Sequence, residues 1–188
     1  MEERRSAAKG EWALLTDLYE LTMAYGYWKL GMADRDAVFY LSFRENPFAG
    51  QYSVACGLAQ LLEMLDGFQF SPSDLAYLDS LTGADGRRLF GADFLEYLGQ
   101  LRLTCDIDAV EEGWVVFPHE PLVRVRGPLL QGQILESMLL NIVNFQTLVA
   151  TKSARICRAA GAGSVLEFGL RRAQGVDGSL SASRAAYV

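Results

Sequence analysis

Histidine is nearly absent from this 188-residue sequence, occurring once, at His119. It lies between Pro118 and Pro121 in a turn. No nucleophile or carboxylate motif accompanies it, so the sequence assigns it no acid–base role. Its neighbour Glu120 reads as half of a loop ion pair. Cysteine is also scarce. Cys56, Cys105 and Cys157 are odd in number and far apart, which fits a reducing, cytoplasmic compartment better than a disulfide framework. They show no metal-ligand spacing. No uncharged apolar run approaches the length of a bilayer span. The opening MEERRSAAKGEW lacks the apolar core of a signal peptide. There is no basic stripe, and the net charge is −6, so neither nucleic acid nor membrane is expected as a partner.

What is present is a globular composition, 51% apolar and 21% charged, long enough for its own core. The stretch that organises it is LEFGLRRAQGVDG, Leu166–Gly178. Val165–Leu170 has the short apolar character of a buried strand. Arg171 and Arg172 come next at its C-terminal end, then a loop with Gly175, Asp177 and Gly178, and Ser181 is placed to cap a helix. In parallel α/β folds, ligands bind beyond the C-terminal ends of strands. Guanidinium groups there suit phosphate or carboxylate, because their donors form a planar fork.

The rest of the chain supplies scaffold. Residues 1–11 are polar and expected to fray. Thr16 is the expected N-cap of a helix from Asp17 to about Leu30, stopped by Gly31. Leu18, Leu21, Tyr25 and Trp28 mark one stripe of it, and Tyr19, Met23 and Tyr27 another, so the helix is buried on both sides or meets a partner chain. Ala37–Phe43 alternates as a strand does, and Tyr52–Ala55 is a second candidate. Leu58–Leu65, a segment opening at Ser71-Pro72, and Asp93–Leu101 read as short helices. Leu103–Val110 is expected to pair with Trp114–Phe117 across a tight Glu111–Gly113 connection, and Leu122–Arg126 resumes as a strand. From Leu129 to Ala160 there is no proline. The pattern is helical throughout, with an expected break near Asn144-Phe145. These elements divide the chain into an α+β domain over 1–127 and, over 128–188, helices leading to the first strand of an α/β barrel. A parallel strand needs neighbours, and none comes after Val165–Leu170. The expectation is therefore the N-terminal part of a longer protein, missing most of its barrel.

Five ordered blocks carry a resemblance to a known family: LLTDLYELTMAYGYW (Leu14–Trp28), NPFAGQYSVACGL (Asn46–Leu58), VEEGWVVFPHEPLVRVRGPL (Val110–Leu129), LESMLLNIVNFQTLVATKSAR (Leu135–Arg155) and LEFGLRRAQGVDG. From about Leu14 to Ala182 the chain resembles the nicotinate phosphoribosyltransferases. The resemblance implies a small N-terminal α/β domain joined to an incomplete α/β barrel of the type II phosphoribosyltransferase kind, in a homodimer with interface active sites. It implies condensation of nicotinate with phosphoribosyl pyrophosphate in NAD synthesis, with ATP hydrolysis and Mg2+. It implies that Tyr19 reaches the pyridine ring across the dimer, that Phe168 stacks on that ring, and that Arg171, with Arg172 second, binds phosphate or carboxylate. The family's phosphorylated histidine lies on a later barrel strand, beyond Val188. These residues are therefore expected to contain no catalytic group, to be inactive alone and to expose an apolar edge. The alternatives are a nicotinamide- or quinolinate-using relative, or a non-catalytic fragment that docks through the Asp17–Leu30 helix.

Overall fold

The structure is a computed structural model and describes residues 12–188. The fraying expected of residues 1–11 lies outside the described residues. The element order is α1 (Leu18–Lys29), β1 (Asp36–Leu41), β2 (Ser53–Val54), α2 (Leu58–Leu65), α3 (Pro72–Ser80), α4 (Ala92–Gln100), β3 (Asp106–Ala109), β4 (Val115–Val116), β5 (Val123–Pro128), α5 (Leu129–Ala160) and α6 (Gly175–Tyr187). β1, β5 and β3 form one sheet with β5 central, and β2 pairs with β4 in another. Gly127-Pro128 closes β5 immediately before α5.

Two compact units are built from interleaved segments. The first uses residues up to Phe39, Leu62–Asp106 and Val125–Met138. Its core holds an aromatic cluster in which Tyr25 of α1 meets Phe94 of α4 at 4.9 Å and Phe90 edge-on at 5.7 Å. The Tyr25 hydroxyl accepts the N–H of Gly91 at 3.1 Å, so a tyrosine on α1 serves the start of α4, where glycine offers no side-chain cap. α3 begins with a capping box: Ser71 Oγ accepts from the Asp74 N–H, and Asp74 Oδ2 accepts from the Ser71 N–H.

The second unit is Tyr40–Leu61, Ile107–Arg124 and Leu139–Val188. β2 and β4 run antiparallel, with Ser53 opposite Val116 and Val54 opposite Val115. The Thr151 and Thr147 hydroxyls on α5 accept the N–H groups of Val54 (2.9 Å) and Cys56 (3.2 Å). Gly57 has φ +112°, and a Cβ there would stand 3.1 Å from the Ile142 carbonyl oxygen and 3.2 Å from Val143 Cα. Both contacts are with backbone that cannot swing aside. Gly57→Ala is therefore expected to cost about 2–3 kcal/mol, from strain plus overpacking, read as a lower urea midpoint with an unchanged m-value.

Four local expectations are corrected. The N-cap of α1 is Asp17, not Thr16. Asp17 is held by α5, its N–H donating to Ser137 Oγ (3.1 Å) and its carboxylate accepting from the same hydroxyl (3.0 Å). α5 does not break at Asn144-Phe145; Asn144 lies on its exposed face, where an amide does not compete with the helix. Val115–Val116 pairs with β2 rather than with Leu103–Val110. The Ala55 N–H donates to the Trp114 carbonyl (2.9 Å) and Gly113 to Ala55 (2.8 Å), while Val110 donates to Leu122 (2.9 Å). Lastly, Val165–Leu170 is not a strand. Residues 164–169 run without a ladder, and a 3-10 turn takes over at Leu170–Arg172, because no neighbouring strand among the described residues offers hydrogen bonds.

By length and composition α5 could cross a bilayer. Its most apolar stretch has mean hydropathy 1.3 and is 56% buried within the protein. Leu130, Ile134, Leu135, Met138, Ile142 and Val143 are all buried, which is the pattern of a core helix.

Candidate functional site

The apolar segment after α5 carries one carboxylate, Glu167, and this side chain sets the path of the chain beyond it. Glu167 Oε1 accepts the Gly169 N–H at 2.5 Å, and Oε2 accepts Ser183 Oγ of α6 at 2.8 Å. Those two hydrogen bonds hold its carboxyl below the usual carboxylate range. The chain is thereby turned into the Leu170–Arg172 turn and tied to α6. α6 starts at Gly175 with Gln174 as its N-cap residue, so Ser181 is not a cap. It lies inside the helix, and its hydroxyl donates to Gln60 Oε1 at 3.1 Å.

A cavity of about 540 Å³ opens here. Phe168, Arg171 and Arg172 line one side, and Ser153, Ile156 and Cys157 of α5 line another. The structure thus brings together three of the four side chains that the resemblance singles out. Phe168 is 82% exposed, and both arginines are exposed. An exposed aromatic face beside two guanidinium groups can take a flat ring that carries an anionic substituent.

α6 is clasped from behind. Arg184 Nη2 meets Glu112 Oε2 at 2.5 Å, and Nη1 meets Glu112 Oε1 at 3.0 Å and Gln146 Oε1 at 3.2 Å. Glu112 Oε1 also accepts from the Gly57 N–H (2.7 Å) and the Ala59 N–H (3.3 Å) at the start of α2. Burial alone would raise the Glu112 pKa. The hydrogen bond from Arg184 and those from Gly57 and Ala59 outweigh it and hold the carboxyl down. Sequence reading missed this clasp. Its only trace was Arg184, a solitary cation on an otherwise small and apolar helical face.

Tyr19 belongs to the first unit and is not among the residues that line the cavity. It is half exposed near the start of α1. Its phenol is pushed up to about 12, first by the Glu20 carboxyl beside it, then by desolvation and by the charges of Glu20, Glu136 and Asp17. His119 takes no part. It holds a turn at φ +67°, its N–H donating to the Phe43 carbonyl at 2.7 Å. Glu120 forms no loop ion pair among the described residues; its Oε2 accepts the Phe117 N–H at 2.8 Å.

Residues 14–144 match the model of the nicotinate phosphoribosyltransferase N-terminal domain. The chain is 46% identical over 176 residues to a nicotinate phosphoribosyltransferase of Caenorhabditis elegans, covering 93% of this chain and 31% of that protein. Against the Bacillus subtilis enzyme of the same name it is 44% identical, covering 94% and 35%. A crystal structure of human nicotinic acid phosphoribosyltransferase superposes with a TM-score of 0.83 at 43% identity, over 93% of this chain and 34% of that one. A nicotinate-nucleotide pyrophosphorylase from Pyrococcus furiosus shares the fold, with TM-score 0.69 at 19% identity. The chain spans about a third of the length of the curated relatives it matches. It belongs to the nicotinate phosphoribosyltransferase family, as a mixed helix-and-strand chain that contains that family's N-terminal domain.

Proposed function

We propose that this chain supplies the N-terminal domain and the first ligand-binding segment of an enzyme that condenses nicotinate with phosphoribosyl pyrophosphate, giving nicotinate mononucleotide and pyrophosphate in NAD synthesis. The observation that carries the reading is the grouping of Phe168, Arg171 and Arg172 in one cavity. Loss of pyrophosphate leaves an oxocarbenium-like ribose, so the protein's task is to position the reactants and balance charge. Phe168 offers a face for the pyridine ring. Arg171, with Arg172 beside it, offers paired donors to a carboxylate or phosphate. Tyr19 contacts the same ring from a second copy of the chain, in a homodimeric, cytoplasmic enzyme coupled to ATP hydrolysis.

Magnesium belongs to the reading as well, but these residues do not fit a protein-held ion. Among the described residues no group of three His, Cys, Asp or Glu side chains is arranged for one. The cavity's carboxylate, Glu167, already accepts from Gly169 and Ser183.

The test is product formation by the protein purified from its native locus, supplied with nicotinate, phosphoribosyl pyrophosphate and ATP. Nicotinate mononucleotide is the expected product. Turnover of nicotinamide or quinolinate in its place would overturn the substrate assignment. The 188-residue polypeptide alone is expected to release none, and turnover by it would overturn that part of the reading.

A further inference from the structure

A carboxylate placed beside two guanidinium groups that receive an anion needs a reason. Glu167 lines the same cavity as Phe168, Arg171 and Arg172. Its hydrogen bonds hold the carboxyl low, so it is a full anion at neutral pH. A bystander charge of that sign repels an anionic ligand and weakens its binding. The two oxygens of Glu167 are directed at the chain instead: Oε1 accepts the Gly169 N–H (2.5 Å) and Oε2 the Ser183 hydroxyl (2.8 Å).

Gly169 is where the arginine-bearing turn starts. Its carbonyl accepts the Arg172 N–H at 2.8 Å, closing the 3-10 turn over Leu170–Arg172. Its own N–H is the one that Glu167 holds. Glycine serves here for space rather than for backbone freedom, since its φ of −82° is open to any residue. A Cβ at this position would stand 2.9 Å from Glu167 Oε1 and push the carboxylate off the N–H. At the other end of the bridge, Ser183 precedes Arg184, which Glu112 and Gln146 grip. Glu167 thus ties the turn to a helix that is itself anchored.

We propose that Glu167 is a positioning residue: by bridging the Gly169 N–H and the Ser183 hydroxyl it fixes the Leu170–Arg172 turn and so presets Arg171 for the anionic substrate. The inference rests on the proposed role of this cavity in binding nicotinate or phosphoribosyl pyrophosphate. An arginine on a pre-formed turn loses less freedom on binding than one on a loose segment. In an exposed site the repulsion from Glu167 is screened, and the ordering of the turn outweighs it. The effect belongs in substrate affinity rather than in the chemical step.

The experiment is steady-state kinetics of the whole enzyme with Glu167→Ala, Gly169→Ala, Arg171→Ala and the Glu167→Ala/Arg171→Ala pair, reading kcat and the KM for nicotinate and for phosphoribosyl pyrophosphate separately. Glu167→Ala and Gly169→Ala are each expected to raise the KM of the anion that Arg171 holds about five- to tenfold, the scale of a lost hydrogen bond, with kcat nearly unchanged. In the Arg171→Ala background, Glu167→Ala should add little. Glu167→Gln should restore most of the affinity, because its amide can accept from Gly169 and donate to Ser183. Independently of activity, the backbone amides of residues 169–172 should exchange hydrogen faster in Glu167→Ala than in wild type. A KM that falls in Glu167→Ala, as a bystander charge requires, additive effects in the pair, or unchanged amide exchange would each overturn the inference. Arg171→Ala without effect on either KM would sink the ligand site, and the inference with it. The expected loss in Arg171→Ala with none in Glu167→Ala would sink the inference alone.

Discussion

Glu112→Ala should destabilise the protein by about 3 kcal/mol, the scale for stranding three donors around a partly buried carboxylate. The Glu112 side chain is 17% exposed and that of Arg184 37%. Alanine leaves the Arg184 guanidinium, the Gly57 N–H and the Ala59 N–H without their common acceptor. Glu112→Gln keeps one acceptor and removes the charge, and should lose about half as much. The loss has a signature in pH. The folded Glu112 carboxyl lies below its ordinary range. Its contribution is therefore fully present above the unfolded carboxylate pKa, about 4.3, and is lost as pH falls through the folded value. Urea midpoints measured from pH 7 down to pH 3 should show wild type and Glu112→Ala converging in acid. Parallel curves would mean that the clasp is not ionic in its effect.

Arg171→Ala, in the whole enzyme, should weaken binding of the anionic substrate by about 30- to 150-fold, corresponding to about 2–3 kcal/mol for a lost charge-assisted pair in an open site. Arg171→Lys should recover only part of this, since an ammonium cannot reproduce the planar fork. Arg172→Ala should cost a few-fold at most, as the second donor. Titration calorimetry with nicotinate and with phosphoribosyl pyrophosphate separately would show which anion Arg171 holds. If neither affinity changes, the cavity is not the anion site, and the assignment of Leu166–Gly178 as a ligand-binding segment falls with it.

The range of the forces involved decides how much was legible in the sequence. α2 has the bounds expected from Leu58, Leu61, Leu62 and Leu65, because that spacing is a local property of one helix. The start of α3 was readable for the same reason, since Ser71, Pro72 and Asp74 write their cap within four residues. The grouping of Phe168, Arg171 and Arg172 was legible because a short segment carries all three. The partner of β4 was not. Hydrogen bonds from Gly113 and to Trp114 draw that strand to Ala55, whereas the short Glu111–Gly113 connection pointed to the adjacent Leu103–Val110. The Glu112–Arg184 pair spans 72 residues, and Gln133 meets Glu20 across 113. No periodicity registers contacts of that separation. The missing ladder at 164–169 is the instructive error. An apolar run has strand composition whether or not a neighbour exists, whereas a strand exists only by its partner's hydrogen bonds.

The interleaving of segments carries a consequence for how the molecule is made. The first unit is not complete until Val125–Met138 is in place, although it begins before Phe39, and the second needs the stretch from Leu139 onward as well as Tyr40–Leu61. On a ribosome adding roughly 5–20 residues per second, the opening third of the chain would wait several seconds for partners not yet synthesised. Contacts of such long separation close slowly, because loop entropy is lost before they form. Until that third segment is made, α1 lacks the α5 partners that hold its start, Ser137 for Asp17 and Gln133 for Glu20, so the first helix of the chain is among the last to be fixed in place.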